Sequence, residues 1–176
     1  PGVVPALALA VRALTGPGDA VVIEEPVYYP FRQVVEDNGR SVVSVPLTRD
    51  ADGVYRRDPA ALEDALARTG ARLLLLCNPH NPVGRVWSRE ELAELAEVTG
   101  RHDVVVVSDE IHADLALPGW RTTPFASLGG DVAARTITCT SPSKAFNLAG
   151  LQVANILIPD AGLRARFRAE LNALGY

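Results

Sequence analysis

A chain of 176 residues is long enough for one domain with a substantial core. With 48% hydrophobic and 22% charged residues it reads as packed and globular rather than disordered. A formal net charge of −4 gives no electrostatic ground for nucleic-acid binding. The apolar runs fall far short of the roughly 20 residues that a membrane span needs.

The elements alternate in chain order. A helix is expected over 5–16 (PALALAVRALTG), closed by a glycine, then a strand over 20–25 (AVVIEE). A second helix over 28–39 has Phe31, Val34 and Val35 as its apolar positions and Asn38-Gly39 as its stop. A strand over 40–47 leads to a helix over 58–70, which opens on Asp58 as N-cap with Pro59 in the first turn. The run ARLLLLCNP (71–79) is a strand, and the helix over 88–100 carries a capping box in Ser88 and Glu91. Strands follow at 103–110 (DVVVVSDE) and 134–140 (ARTITCT), separated by an irregular stretch over 116–130 that reads as one loop. A sixth strand over 151–158 and an amphipathic helix over 160–174 end the chain.

Most of these strands are continuous apolar runs without strict alternation, the pattern of strands covered on both faces. Helices alternating with such strands imply an α/β fold, a three-layer sandwich with a mostly parallel central sheet. No repeat, low-complexity tract or linker divides the chain, so 1–176 reads as one domain. Cys77 and Cys139 each follow an apolar run and read as buried thiols of a reducing compartment, not a disulfide. No CxxC or HExxH spacing points to a metal. With no signal-like start, a cytoplasmic location is expected. The chain holds no methionine and begins PGVV, so it is expected to be processed or a piece of something longer.

In an open α/β sheet, ligands gather at the carboxyl ends of the strands. The unusual residues of this sequence cluster there: EEPVYY after the first strand, CNPHNPVG after the third, SDEIH after the fourth and TSPSK after the fifth. No GxGxxG follows the first strand and no GxxxxGK[ST] occurs, which argues against a nicotinamide dinucleotide or a P-loop nucleotide.

The ordered motifs NPHNPVG, SDEIHADL and SPSKAFNLAGLQ resemble those of the fold-type I pyridoxal-phosphate enzymes. Within them the chain is most similar to the class I/II aminotransferase family and its cystathionine β-lyase (MalY/PatB-type) branch. The resemblance implies that Lys144 condenses with the aldehyde of pyridoxal 5'-phosphate and later moves the substrate α-proton, helped by burial that favours a neutral amine. It implies that Asp109 pairs with the pyridine nitrogen, and that Asn81, rather than its rival Asn78, donates to the phenolic oxygen. One Asn-Pro bond is expected to be cis. Tyr28, in preference to Tyr29, would stack on the ring. The amides of Val3 and Val4 at a helix N-terminus, with the hydroxyls of Ser141 and Ser143, would hold the phosphate.

Two positions depart from the commoner family pattern. Gln152 stands where many relatives place a phosphate-binding arginine, and His112 stands where many place a tyrosine near the phenolic oxygen. Both have the look of the lyase branch, and His112 is a candidate cofactor contact. The resemblance further implies a fragment: the cofactor-binding large domain, without the small domain and its arginine for the substrate carboxylate. Arg164, Arg166 and Arg168 read as solvated helix charges. The parent is expected to be a homodimer acting on a small amino-acid substrate, with no nucleic-acid or membrane partner. The leading expectation is β-elimination of a thiol from a cystathionine-like amino acid, giving pyruvate and ammonia. Transamination is the near alternative. A pyridoxal-phosphate-sensing domain of a transcription regulator, or an inactive fragment, is the alternative of another class.

Overall fold

The computed structural model describes residues 2–175. A six-stranded sheet runs in the order β2 (Ser41–Pro46), β1 (Ala20–Glu25), β5 (Leu73–Cys77), β6 (Val105–Asp109), β7 (Thr136–Thr140), β8 (Asn155–Leu157). All neighbours pair in parallel except β7 and β8. A two-stranded hairpin of β3 (Thr48–Arg49) and β4 (Tyr55–Arg56) stands apart from it.

Alternation along the strands divides the core into two layers. Leu73, Leu75, Val107 and Ile137 face one side, where they meet Leu7, Phe31 and Phe167 from α1 (Val3–Leu14), α2 (Pro30–Glu36) and α6 (Ala161–Ala173). Leu74, Leu76 and Val106 face the other, against Leu62, Leu66, Leu92 and Leu95 of α3 (Pro59–Thr69) and α4 (Arg89–Arg101). Both layers are sealed, so β5 is apolar at every position and β6 is apolar over 105–107. This is the three-layer α/β sandwich that the continuous runs imply.

The local signals act as the physics requires. Asp58 accepts the Ala61 N–H at the start of α3, and Gly70 ends that helix at φ 64°. Ser88 and Glu91 form both halves of a capping box. Other expectations need correction. α1 begins at Val3, two residues early, and ends at Leu14 on an extended Thr15 rather than on the glycine. The stretch expected to be one loop contains a 3-10 turn over Phe125–Leu128 that buries Phe125 completely, and a short α5 (Gly130–Ala134) follows it. No helix among the described residues is long and apolar enough to cross a membrane.

The sheet order sets the site. From β1 the chain moves outward to β2, whereas from β5 it moves the other way to β6. The connections therefore diverge between β1 and β5, and the crevice at their carboxyl ends is where such a fold exposes a binding site.

Candidate active site

At that edge lies a cavity of about 430 Å³ lined by all the nominated side chains and helix residues except Ser141. It brings together Val3 and Val4 from α1, Tyr28 after β1, Asn81 after β5, Asp109 and His112 at and after β6, and Ser143 and Lys144 after β7. Pro1 of the PGVV stretch lies outside the described residues.

The two loops flanking the crevice are tied to each other: the Tyr28 N–H donates to the Asn81 carbonyl at 2.9 Å. The Asn81 N–H in turn donates to the Cys77 sulfur at 3.3 Å. The asparagine rivals separate cleanly. Asn78 is fully buried behind the cavity, its amide donating to the Thr123 carbonyl at 2.9 Å, while Asn81 lines the cavity. Both Asn-Pro bonds are cis, as is Glu25-Pro26. Tyr28 is half-buried against the core, and Tyr29 is largely exposed.

Asp109 ends β6 with 5% of its surface exposed. Its Oδ1 accepts the Ile111 N–H at 3.1 Å, and no described residue donates to Oδ2. Burial pushes its carboxyl up to about 7; the Ile111 amide and Lys144 pull the other way, and Glu110 adds to the rise. Burial and the charge of Lys144 both lower the His112 imidazole below its ordinary value. Lys144, Asp109 and His112 are thus in electrostatic reach of one another. Lys144 is the only lysine of the chain, and it forms no ion pair among the described residues.

Two features differ from expectation. Lys144 is exposed, so these residues do not supply the burial anticipated for its amine. Ser141 does not reach the cavity: its hydroxyl is 2.7 Å from the Val153 carbonyl, which can only accept, so its proton points there. Its oxygen accepts the Ser143 N–H at 3.1 Å. Ser141 therefore braces the loop, and Ser143 is the hydroxyl presented to the cavity.

The anion-friendly corner is the start of α1. No side chain caps this helix and no acidic residue stands in its first turn, so its leading amides are left for an outside acceptor. Pro5, the third helical residue, has no N–H to offer, which leaves Gly2, Val3 and Val4. A Cβ at Gly2 would meet nothing within 4 Å, so the space before these amides is open. The arrangement thus offers an amine, a buried carboxyl with a free oxygen, an amide, an aromatic face and an anion cradle in one cavity. Gln152 also lines it, in a left-handed conformation at φ 49°.

Sequence reasoning passed over Glu110 and Cys77. Glu110 is buried, and its Oε1 accepts the Ser108 hydroxyl at 2.8 Å and the Phe125 N–H at 2.9 Å, which pins the 113–124 segment to β6. Cys77 lines the cavity beside Asn81. No local pattern distinguishes either from ordinary strand-end residues.

A family model described as aminotransferase class I and II matches residues 1–174. The chain belongs to this family. It is 54% identical over 177 residues to cystathionine beta-lyase PatB of Bacillus subtilis, a match covering 99% of this chain and 46% of that protein. The structure superposes with a TM-score of 0.95 on cystalysin from Treponema denticola, which contains a pyridoxal 5'-phosphate cofactor; the two are 43% identical, over 98% of this chain and 43% of that one. N-succinyldiaminopimelate aminotransferase from Mycobacterium tuberculosis superposes at 0.90 with 37% identity, over 98% and 44%. The chain spans less than half the length of each of these proteins.

Proposed function

We propose that this chain is the pyridoxal-5'-phosphate-binding part of a carbon–sulfur β-lyase that takes a cystathionine-like L-amino acid and releases a thiol, pyruvate and ammonia. The observation that carries it is the opening of Lys144 and Asp109 into one cavity beside an uncapped helix N-terminus. The donor set fits the cofactor part by part: Asp109 Oδ2 has no partner among the described residues, Asn81 lines the wall, and the space before Gly2 is clear.

Bound pyridoxal phosphate supplies an electron sink next to the substrate α-carbon. Asp109 would keep a proton on the ring nitrogen, since a buried carboxylate is stabilised best by a cation placed against it. Tyr28 offers a flat face to the ring and Asn81 an amide proton to its phenolic oxygen. Val3, Val4 and Ser143 supply N–H and O–H donors to the phosphate. Lys144 would hold the aldehyde and, freed by the substrate amine, would serve as the base for the α-proton. Reprotonation at the cofactor carbon, in place of β-elimination, would give amino transfer instead. The aminotransferase neighbours favour that second reading; the higher identity to PatB favours the lyase.

We also place the substrate-carboxylate site and the completing subunit of a homodimer outside this chain. The loop that carries Lys144 supports this: its Phe146 and Leu151 are each 68% exposed, apolar surface suited to cover by another part of the protein.

The test is chemical. Mixing with pyridoxal phosphate and reducing with borohydride should fix one pyridoxyl group on Lys144, read by peptide mass, and Lys144→Ala should abolish it. Labelling that persists in the variant would overturn the site. With the full-length protein, pyruvate release from L-cystathionine is expected; amino transfer to a 2-oxo acid without pyruvate would overturn the lyase reading in favour of its alternative.

A further inference from the structure

Asp109 is the middle of a row across three strands. It is in register with Cys77 on β5 and with Cys139 on β7. Laterally paired residues of a sheet point to the same face, so a thiol stands on each side of the carboxyl. The next row down on that face is Leu75, Val107 and Ile137, all buried. Both cysteines are free and buried, Cys77 at 2% and Cys139 at 0% exposure.

Neither thiol competes for the carboxyl. Cys77 directs its polar capacity to the next loop, taking the Asn81 N–H and facing the Pro79 carbonyl, each at 3.3 Å. The Cys139 thiol makes no hydrogen bond among the described residues. A thiol is a weak donor in any case. Burial and the nearby Asp109 carboxyl push the Cys77 thiol up to about 12 and raise Cys139 well above its ordinary value, so both stay neutral.

The other groups facing Asp109 are few. Glu110 is its chain neighbour; Lys144 and His112 share its cavity, as does the Tyr28 phenol. The first turn of α1, which covers the cavity, brings no titratable side chain.

We propose that Cys77 and Cys139 are positioning residues for Asp109: their thiols wall its carboxyl on both sides without donating to it, reserving it for a cation delivered from the cavity. Serine is nearly the same size but a far better donor. In either position it would bond the carboxylate in advance, stabilise its charge in the empty site and weaken its pull on a ring nitrogen. The cation we assign is the protonated pyridine of the cofactor, which rests on the reading above. The ionisation of Asp109 in the cofactor-free protein does not.

The experiment follows the carboxyl carbon of Asp109 by nuclear magnetic resonance in the cofactor-free protein, assigned with Asp109→Asn. In the wild type and in Cys139→Val, Asp109 should titrate with a midpoint near 7. In Cys139→Ser the midpoint should lie lower by about one pH unit or more, and the affinity for pyridoxal phosphate should fall by about tenfold. Should Cys139→Ser not fold, Cys77→Ser against Cys77→Ala makes the same comparison on the opposite wall. Equal midpoints in the serine and apolar variants would overturn the proposal. A midpoint that moves in a protein that binds no pyridoxal phosphate would uphold the thiols' role and overturn the cofactor assignment.

Discussion

Asp109→Asn measures how strongly the empty site strains the fold. Burial lifts this carboxyl from an ordinary 3.8 to about 7. The folded protein therefore holds the proton more tightly than the unfolded chain between those two values, and its stability falls as pH rises through that window. Below about pH 4 the group is protonated in both states and has no effect. Above about pH 7 the effect is complete, and about three pH units at 1.36 kcal/mol each give roughly 4 kcal/mol. That is a large share of the ~5–15 kcal/mol that holds a typical domain together. Asparagine keeps an acceptor for the Ile111 N–H and nearly the same volume, but cannot ionise. Urea unfolding of the cofactor-free protein should show Asp109→Asn more stable than wild type by about 2–4 kcal/mol at pH 8, with the gap closing to under about 1 kcal/mol at pH 4. Glu110, also raised by burial, is present in both proteins. Saturating pyridoxal phosphate should reverse the order at pH 8, because only the wild type has a carboxylate to meet the ring cation. Equal stabilities at pH 8, or a gap that persists at pH 4, would refute the assignment of a strained carboxyl.

Three further substitutions probe the support around the cavity. Arg57 donates from Nε to both Glu24 oxygens at 2.8 and 2.9 Å, with its guanidinium 3.8 Å from the Trp87 ring centroid and the pair 7% and 2% exposed. Arg57→Leu, which strands the Glu24 charge, should cost about 3–5 kcal/mol in urea unfolding, whereas the double change with Glu24→Leu should stay within about 2 kcal/mol of wild type; a double variant as unstable as the single one contradicts this. Glu110→Ala strips acceptors from the Ser108 hydroxyl and the Phe125 N–H. It should cost about 2–4 kcal/mol and speed hydrogen exchange at the Phe125 amide, and unchanged exchange there would count against the bracing role. Gly2→Val should cost no more than about 1 kcal/mol in stability, since a Cβ there meets nothing within 4 Å. It should nevertheless weaken pyridoxal-phosphate binding by about tenfold in a fluorescence titration, by crowding the anion corner. Undiminished affinity would remove the phosphate from the start of α1.

The parts of this molecule that could be read from its sequence are those whose signal is local. LLLLC, and VVVSD up to its last two residues, are continuously apolar because two layers cover them, and burial on both faces erases the alternation. The run over 151–158 carries the same look and misleads. Ala149–Leu151 forms a 3-10 turn, and only Asn155–Leu157 pairs, antiparallel to β7. Strand direction leaves no mark on so short a segment. The β3–β4 hairpin escapes for a similar reason: two residues per strand show no period, and the turn is held by the Asp50 carboxylate taking the Asp52 and Val54 amides. The site divides along the same line. Asn81, Asp109 and Lys144 stand out because polar residues directly after buried strands need a reason to be there. Cys77 and Cys139 do not, because a thiol at a strand end is indistinguishable from core. Their significance comes from register alone, which sets residues from three separate strands shoulder to shoulder. A site of this kind presents its reactive groups at points where the sequence is locally odd. The groups that tune them are ordinary apolar neighbours, visible only once the strands are paired.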